Sequence, residues 1–98
     1  MPGFTQNVTL KINKKGYAVA DPWKIPDRMI GDNLRFDSEE GNFKVVFDRW
    51  IFSGKDHPIT DRRARTITKR GPYNVTCYVG NKLYPSDRKR GAHGNVRP

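Results

Sequence analysis

The sequence predicts an all-β fold, an antiparallel sandwich or barrel of short strands. Three observations carry this. Apolar and polar residues alternate with a period of two in several short stretches, and Gly71–Gly80 is the strongest of them. Turn signals rich in glycine, proline and asparagine separate these stretches. No segment shows an amphipathic helical repeat, so sheets must build the core.

In chain order, Val8, Leu10 and Ile12 alternate with Thr9, Lys11 and Asn13, giving a half-buried first strand. Lys14-Lys15-Gly16 is a turn, and Tyr17 and Val19 open a second short strand. Pro22 and Pro26 lack ladder donors, so Asp21–Arg28 is expected to be irregular or an edge, with Trp23 and Ile25 folding over the core. Leu34 and Phe36, then Phe43, Val45 and Phe47, mark two more strands. Asp37–Gly41 lies between them as a polar turn, which predicts a hairpin over Leu34–Phe47. Trp50-Ile51-Phe52 reads as core filling, because bulky aromatics mostly pack.

Residues 62–70 are β-branched and charged, as suits an edge strand. Ala64, Thr66 and Thr68 share one face there; Arg63, Arg65, Ile67 and Lys69 share the other. In Gly71–Gly80, Tyr73, Val75, Cys77 and Val79 face one way, and Asn74, Thr76 and Tyr78 the other. A short strand follows at Lys82–Tyr84. Residues 85–98 hold two glycines, two prolines and four Lys/Arg, and are expected to form a basic tail, loose or laid over the surface, beyond a folded unit of residues 1–84.

The length fits one domain with a modest core. An apolar fraction of 35% is low, but eleven aromatics can each bury a large area, so the chain is expected to fold. The net charge of +9 is uneven: residues 1–48 are neutral, and the whole excess lies in 49–98. Such asymmetry suits an anionic partner, whether acidic protein, nucleic acid or anionic lipid, as well as a solvated face. A single cysteine makes no internal disulfide. No apolar run approaches the ~20 residues of a membrane-spanning helix, and no apolar leader segment is seen.

Two segments resemble the cupredoxin family of plastocyanin-like Greek-key sandwiches. One is Asp21-Pro22, Ile25 and Gly31-Asp-Asn-Leu34-Arg-Phe36, running on into Gly41–Phe47. The other is Gly71-Pro-Tyr73-Asn-Val75-Thr-Cys77. With the opening strand, the resemblance covers residues 6–84. It implies an antiparallel Greek-key β-sandwich and a periplasmic or secreted setting. A blue-copper site takes two histidines, a cysteine thiolate and a weak axial methionine. At the matching positions this chain has Cys77, but Phe43 and Gly80 in place of the histidines. Met1 and Met29 both precede Cys77. The resemblance therefore implies the scaffold without type 1 copper, with Phe43 filling the metal pocket and Cys77 packed as a small hydrophobe.

Enzymatic chemistry finds no support in the spacing. Nothing in the sequence places His57 or His93 beside Cys77. The carboxylates Asp37, Glu39 and Glu40 read as a polar turn, not an acid–base pair. The expected function is non-catalytic: a binding or structural domain that meets an anionic partner through its basic second half. The candidates are Arg62, Arg63, Arg65, Lys69, Arg70, Arg88, Lys89 and Arg90. Replacing Arg63 and Arg65 with Glu is expected to weaken binding and leave the fold intact. One alternative is a small β-barrel that binds nucleic acid, with Tyr73, Tyr78 and Tyr84 as stacking platforms. Another is a copper electron-transfer protein with a rearranged site built from Cys77 and His57 or His93.

Overall fold

The computed structural model describes residues 3–55, 57–80, 84–85 and 92–98. Among them, nine strands form two sheets: β1 Thr5–Ile12, β2 Ala18–Asp21, β3 Arg28–Met29, β4 Asn33–Ser38, β5 Phe43–Phe47, β6 Arg65–Thr66, β7 Gly71–Val79, β8 Tyr84–Pro85 and β9 Ala92–Arg97. The first sheet runs β2-β1-β4-β6. The second runs β3-β9-β7-β5, with β8 also paired to β7. The arrangement is all-β and sandwich-like. The inward faces bury Val8, Leu10, Leu34 and Phe36 from the first sheet and Val45, Tyr73, Val75, Cys77 and Val79 from the second. β4, β5 and β7 bury alternate residues, as their sequence pattern requires.

The predicted aromatic plug is present. Ile51 and Phe52 are buried. The Phe47 ring meets Phe36, Trp50, Phe52 and Tyr73 at centroid distances of 5.9, 5.7, 5.4 and 5.7 Å. Edge-to-face geometry dominates this cluster, the arrangement the ring quadrupoles favour.

Four expectations are corrected. The sheets are mixed, not wholly antiparallel: β1 pairs with β4, and β3 with β9, in parallel. The hairpin over Leu34–Phe47 does not form. β4 lies in the first sheet and β5 in the second, so residues 39–42 carry the chain across the core as an arch. Alternation reports which face a strand buries and says nothing about its neighbour. The strand over 62–70 shrinks to Arg65–Thr66 on the edge of β4. The expected parity still holds there, with Arg65 and Ile67 buried and Thr66 exposed.

The largest correction concerns the tail. Ala92–Arg97 is a strand held between β3 and β7, with Gly71 opposite Val96 and Val75 opposite Ala92. Its sequence hid this because only Ala92 and Val96 are apolar and buried. Gly94 sits between them for a packing reason. A Cβ there would stand 2.5 Å from the Tyr73 hydroxyl and 3.2 Å from Ile25 Cβ. The glycine makes room for the tip of a buried tyrosine, and in sequence it looks like a loop signal. The segment around Trp23 runs beside this strand. His93 N–H donates to Trp23 O at 2.9 Å, and Ile25 N–H to His93 O at 2.8 Å. Ile25 is buried as expected, whereas Trp23 stands in solvent with its ring edge-on to His93.

Candidate functional site

Cys77 lies on the inward face of β7, opposite Val45, and is fully buried. Burial pushes its thiol up to about 12, with an opposing contribution from a hydrogen bond to the Ala92 backbone. The nucleophilic form of cysteine is the thiolate, so this setting suits packing. Native protein at about pH 8 should resist iodoacetamide and react at Cys77 only once urea has unfolded it. Rapid labelling of the native state would show that the thiol is not enclosed.

The residues around Cys77 do not fit a type 1 copper ion. Phe43, opposite Val79, is a buried hydrocarbon ring where the resemblance asks for imidazole. Gly80 has a φ of 88°, and its N–H donates to Asn42 O. The rearranged alternative meets two obstacles. His93 pairs with Asn74 and so faces outward, on the opposite side of the second sheet from Cys77. His57 Nε2 accepts the Phe47 N–H at 3.0 Å, which occupies that lone pair. Met29 stands exposed at the end of β3. Met1 lies outside the described residues. Asp37 is engaged by Arg62 at 2.7 Å and caps the Ser38 N–H, so it is not half of an acid–base pair with Glu39 or Glu40.

The basic candidates divide. Arg88, Lys89 and Arg90 lie outside the described residues. Arg62, Arg63, Lys69 and Arg70 are exposed on the segment that flanks β6 at the edge of the first sheet and runs on to β7 of the second. Arg65 is not an outward contact. It sits opposite Leu34 and turns inward, 8% exposed, with Nη1 and Nη2 on the two Asp61 carboxylate oxygens at 3.0 and 3.2 Å. That fork, with the Arg63 N–H, holds the Asp61 carboxyl below the usual aspartate range. Arg65 is thus a structural anchor, and the double Glu replacement at Arg63 and Arg65 would damage the fold.

Two arginines that bond to this segment were missed because they belong to the neutral first half or its boundary. Arg35 faces outward between Leu34 and Phe36, and its Nε donates to Arg62 O at 2.7 Å. The alternation of β4 already placed it outward. Arg49 gave no signal in sequence. Its guanidinium donates to Arg70 O and lies over Gly71, where a Cβ would meet Nη1 at 2.9 Å. The φ of 111° is what requires glycine at Gly71. Arg35 thus joins Arg62, and Arg49 joins Arg70, at the two ends of the segment from Arg62 to Arg70. The carboxylates that touch it, Asp37 and Asp61, are engaged by Arg62 and Arg65.

The outer face of the second sheet carries a second group. Lys44 Nζ lies 4.5 Å from the Tyr78 ring centre, and Trp23 meets His93 edge-on at 5.2 Å. Tyr73, expected as a stacking platform, is instead buried, and its hydroxyl is pushed far above the usual tyrosine value by that burial. Among the described residues no cluster of His, Cys, Asp and Glu is placed to hold a metal ion. No helix among them is long and apolar enough to cross a membrane. No known family model matches the chain, and no curated protein matches it.

Proposed function

We propose that this chain is a non-catalytic binding module, a cupredoxin-like Greek-key sandwich without type 1 copper, that takes an anionic partner on the margin from Arg62 to Arg70. The two-sheet arrangement and the arch at residues 39–42 support the scaffold reading. The observation that carries the function is the margin itself. Four exposed cations stand on this segment, Arg35 and Arg49 bond to its two ends, and Asp37 and Asp61 beside it are engaged by Arg62 and Arg65. Nine residues reach at most about 30 Å, so the ridge suits an extended polyanion more than a small ion.

The test is anisotropy of a labelled single-stranded thymidine oligonucleotide and of labelled polyglutamate, at low and high salt. Joint replacement of Arg62, Arg63, Lys69 and Arg70 by Glu should weaken binding by roughly a hundredfold and flatten its salt dependence. Arg65 stays in place, so Tm should hold. Unchanged affinity in that variant, or no binding of either probe by the native protein at low salt, would remove the proposal.

A nucleic-acid partner has one specific observation in its favour, the Lys44–Tyr78 and Trp23–His93 groups on the outer sheet face. Bases stack on such platforms. Trp23→Ala and Tyr78→Ala should then each weaken oligonucleotide binding roughly tenfold and leave polyglutamate binding alone. Equal losses on both probes would favour an acidic protein.

A further inference from the structure

Phe4, Met29 and Ile30 are 54%, 52% and 40% exposed; Phe4 and Met29 line one groove, and Ile30 follows Met29 in the chain. One carboxylate assembles them. Asp32 Oδ1 accepts the N–H groups of Gly3 and Phe4 at 3.1 and 3.2 Å, and Oδ2 accepts that of Met29 at 3.1 Å. These bonds tie the approach to β1 to the turn between β3 and β4, so Phe4 and Met29 are held at one groove (the pole) with Ile30 next in the chain. Such a display is costly in water and marks a contact surface.

The collar around them is cationic. Arg28 stacks over the Phe4 ring at 4.5 Å. Arg97 sits opposite Met29, and Arg70 stands one residue before the Gly71–Val96 pair. The two carboxylates here are engaged, Asp27 by Arg97 at 2.9 Å and Asp32 by the three amides. A groove of about 470 Å³ runs between Phe4, Pro26, Arg28, Met29 and Arg97.

The backbone of the pole decides what it meets. The N–H groups of Gly3, Phe4, Met29, Gly31, Asp32 and Asn33 all have acceptors within the chain. They offer an incoming peptide strand no row of donors. Satisfied backbone is what a surface needs before it enters a layer poor in water. Apolar side chains inside a ring of arginines match the interface of a bilayer with anionic headgroups.

We infer that this pole docks the protein on an anionic lipid bilayer, with Phe4, Met29 and Ile30 entering the headgroup layer and Arg28, Arg70 and Arg97 meeting the lipid charges. This goes beyond the margin reading. Arg70 borders both surfaces, but the variants that test the pole share no residue with those that test the margin and the probes differ, so either can fail alone.

The experiment is co-sedimentation of the full chain with phosphatidylserine-containing vesicles and with pure phosphatidylcholine vesicles. Binding to the first should exceed binding to the second by at least roughly tenfold. The triple variant Phe4→Ser, Met29→Ser, Ile30→Ser should lose most of it with Tm unchanged. Arg28→Ala should weaken it roughly fivefold. A nitrobenzoxadiazole label on Met29→Cys, directed there because Cys77 is buried, should brighten and shift to the blue on the anionic vesicles. That readout stands even if the triple variant folds poorly. Absent sedimentation, equal binding to both vesicle types, or a dark label would overturn the inference. So would a dimer of the native chain that the triple variant abolishes, which would give the pole to a second copy.

Discussion

Phe47→Ala should destabilise the protein by about 4 kcal/mol, the range for deleting a fully packed aromatic ring. Phe47 is the ring on which the two sheets converge. It touches Phe36 of the first sheet, Tyr73 of the second, and both Trp50 and Phe52 of the plug. Those four cannot close the void together, because they belong to three separate segments, β4, β7 and the plug. A domain of this size has about 5–15 kcal/mol of stability in all, so much of the variant's margin would be gone. Urea unfolding followed by Trp50 fluorescence would measure the loss. A cost near 1 kcal/mol would mean that the plug repacks and the core is looser than described.

Arg65→Glu should cost about 4 kcal/mol, because it puts a carboxylate at a buried position beside Asp61 in place of the guanidinium that binds it. Arg65→Met, which keeps the length and drops the charge, should cost only about 1 kcal/mol. Arg63→Glu, at an exposed position, should be close to neutral. A large difference between the neighbours Arg63 and Arg65 is the signature to look for. Equal and small effects would mean that Arg65 is not held inward.

The pair also sets a pH dependence. The Asp61 carboxyl is held below its unfolded value, so its contribution is complete above about pH 4 and is lost as pH falls through the lower folded value. Asp32, held low first by the Met29 amide, acts in the same direction. The gap between native protein and an Asp61→Asn variant should therefore narrow as pH falls below the usual aspartate range.

What the sequence revealed was faces. Cys77, Tyr73, Val75 and Val79 were legible as inward because period two is a property of one strand alone. Partners were not legible, since nothing in Leu34–Phe47 distinguishes a hairpin from an arch. Arg65 misled because guanidinium is ordinarily a surface group. Its inward turn depends on Asp61, whose role only the folded loop reveals. Gly94 misled in the opposite sense, as its small size answers to Tyr73, far away in sequence. The polar cluster under Phe4 and Met29 was out of reach altogether, because Asp32 gathers residues 28 positions and three positions away on a single carboxylate.

The placing of β9 has a consequence for how the protein comes into being. A ribosome makes the chain from one end at about 5–20 residues per second, and β9 is completed after every strand it joins. Until then residues 71–75 of β7 offer an open edge, and neither Tyr73 nor Ile25 has its lid. The nascent chain must therefore wait with a sticky, half-built sheet, which is the state that chaperones guard. Closure waits on β9, whose Gly94 leaves room for the hydroxyl of Tyr73.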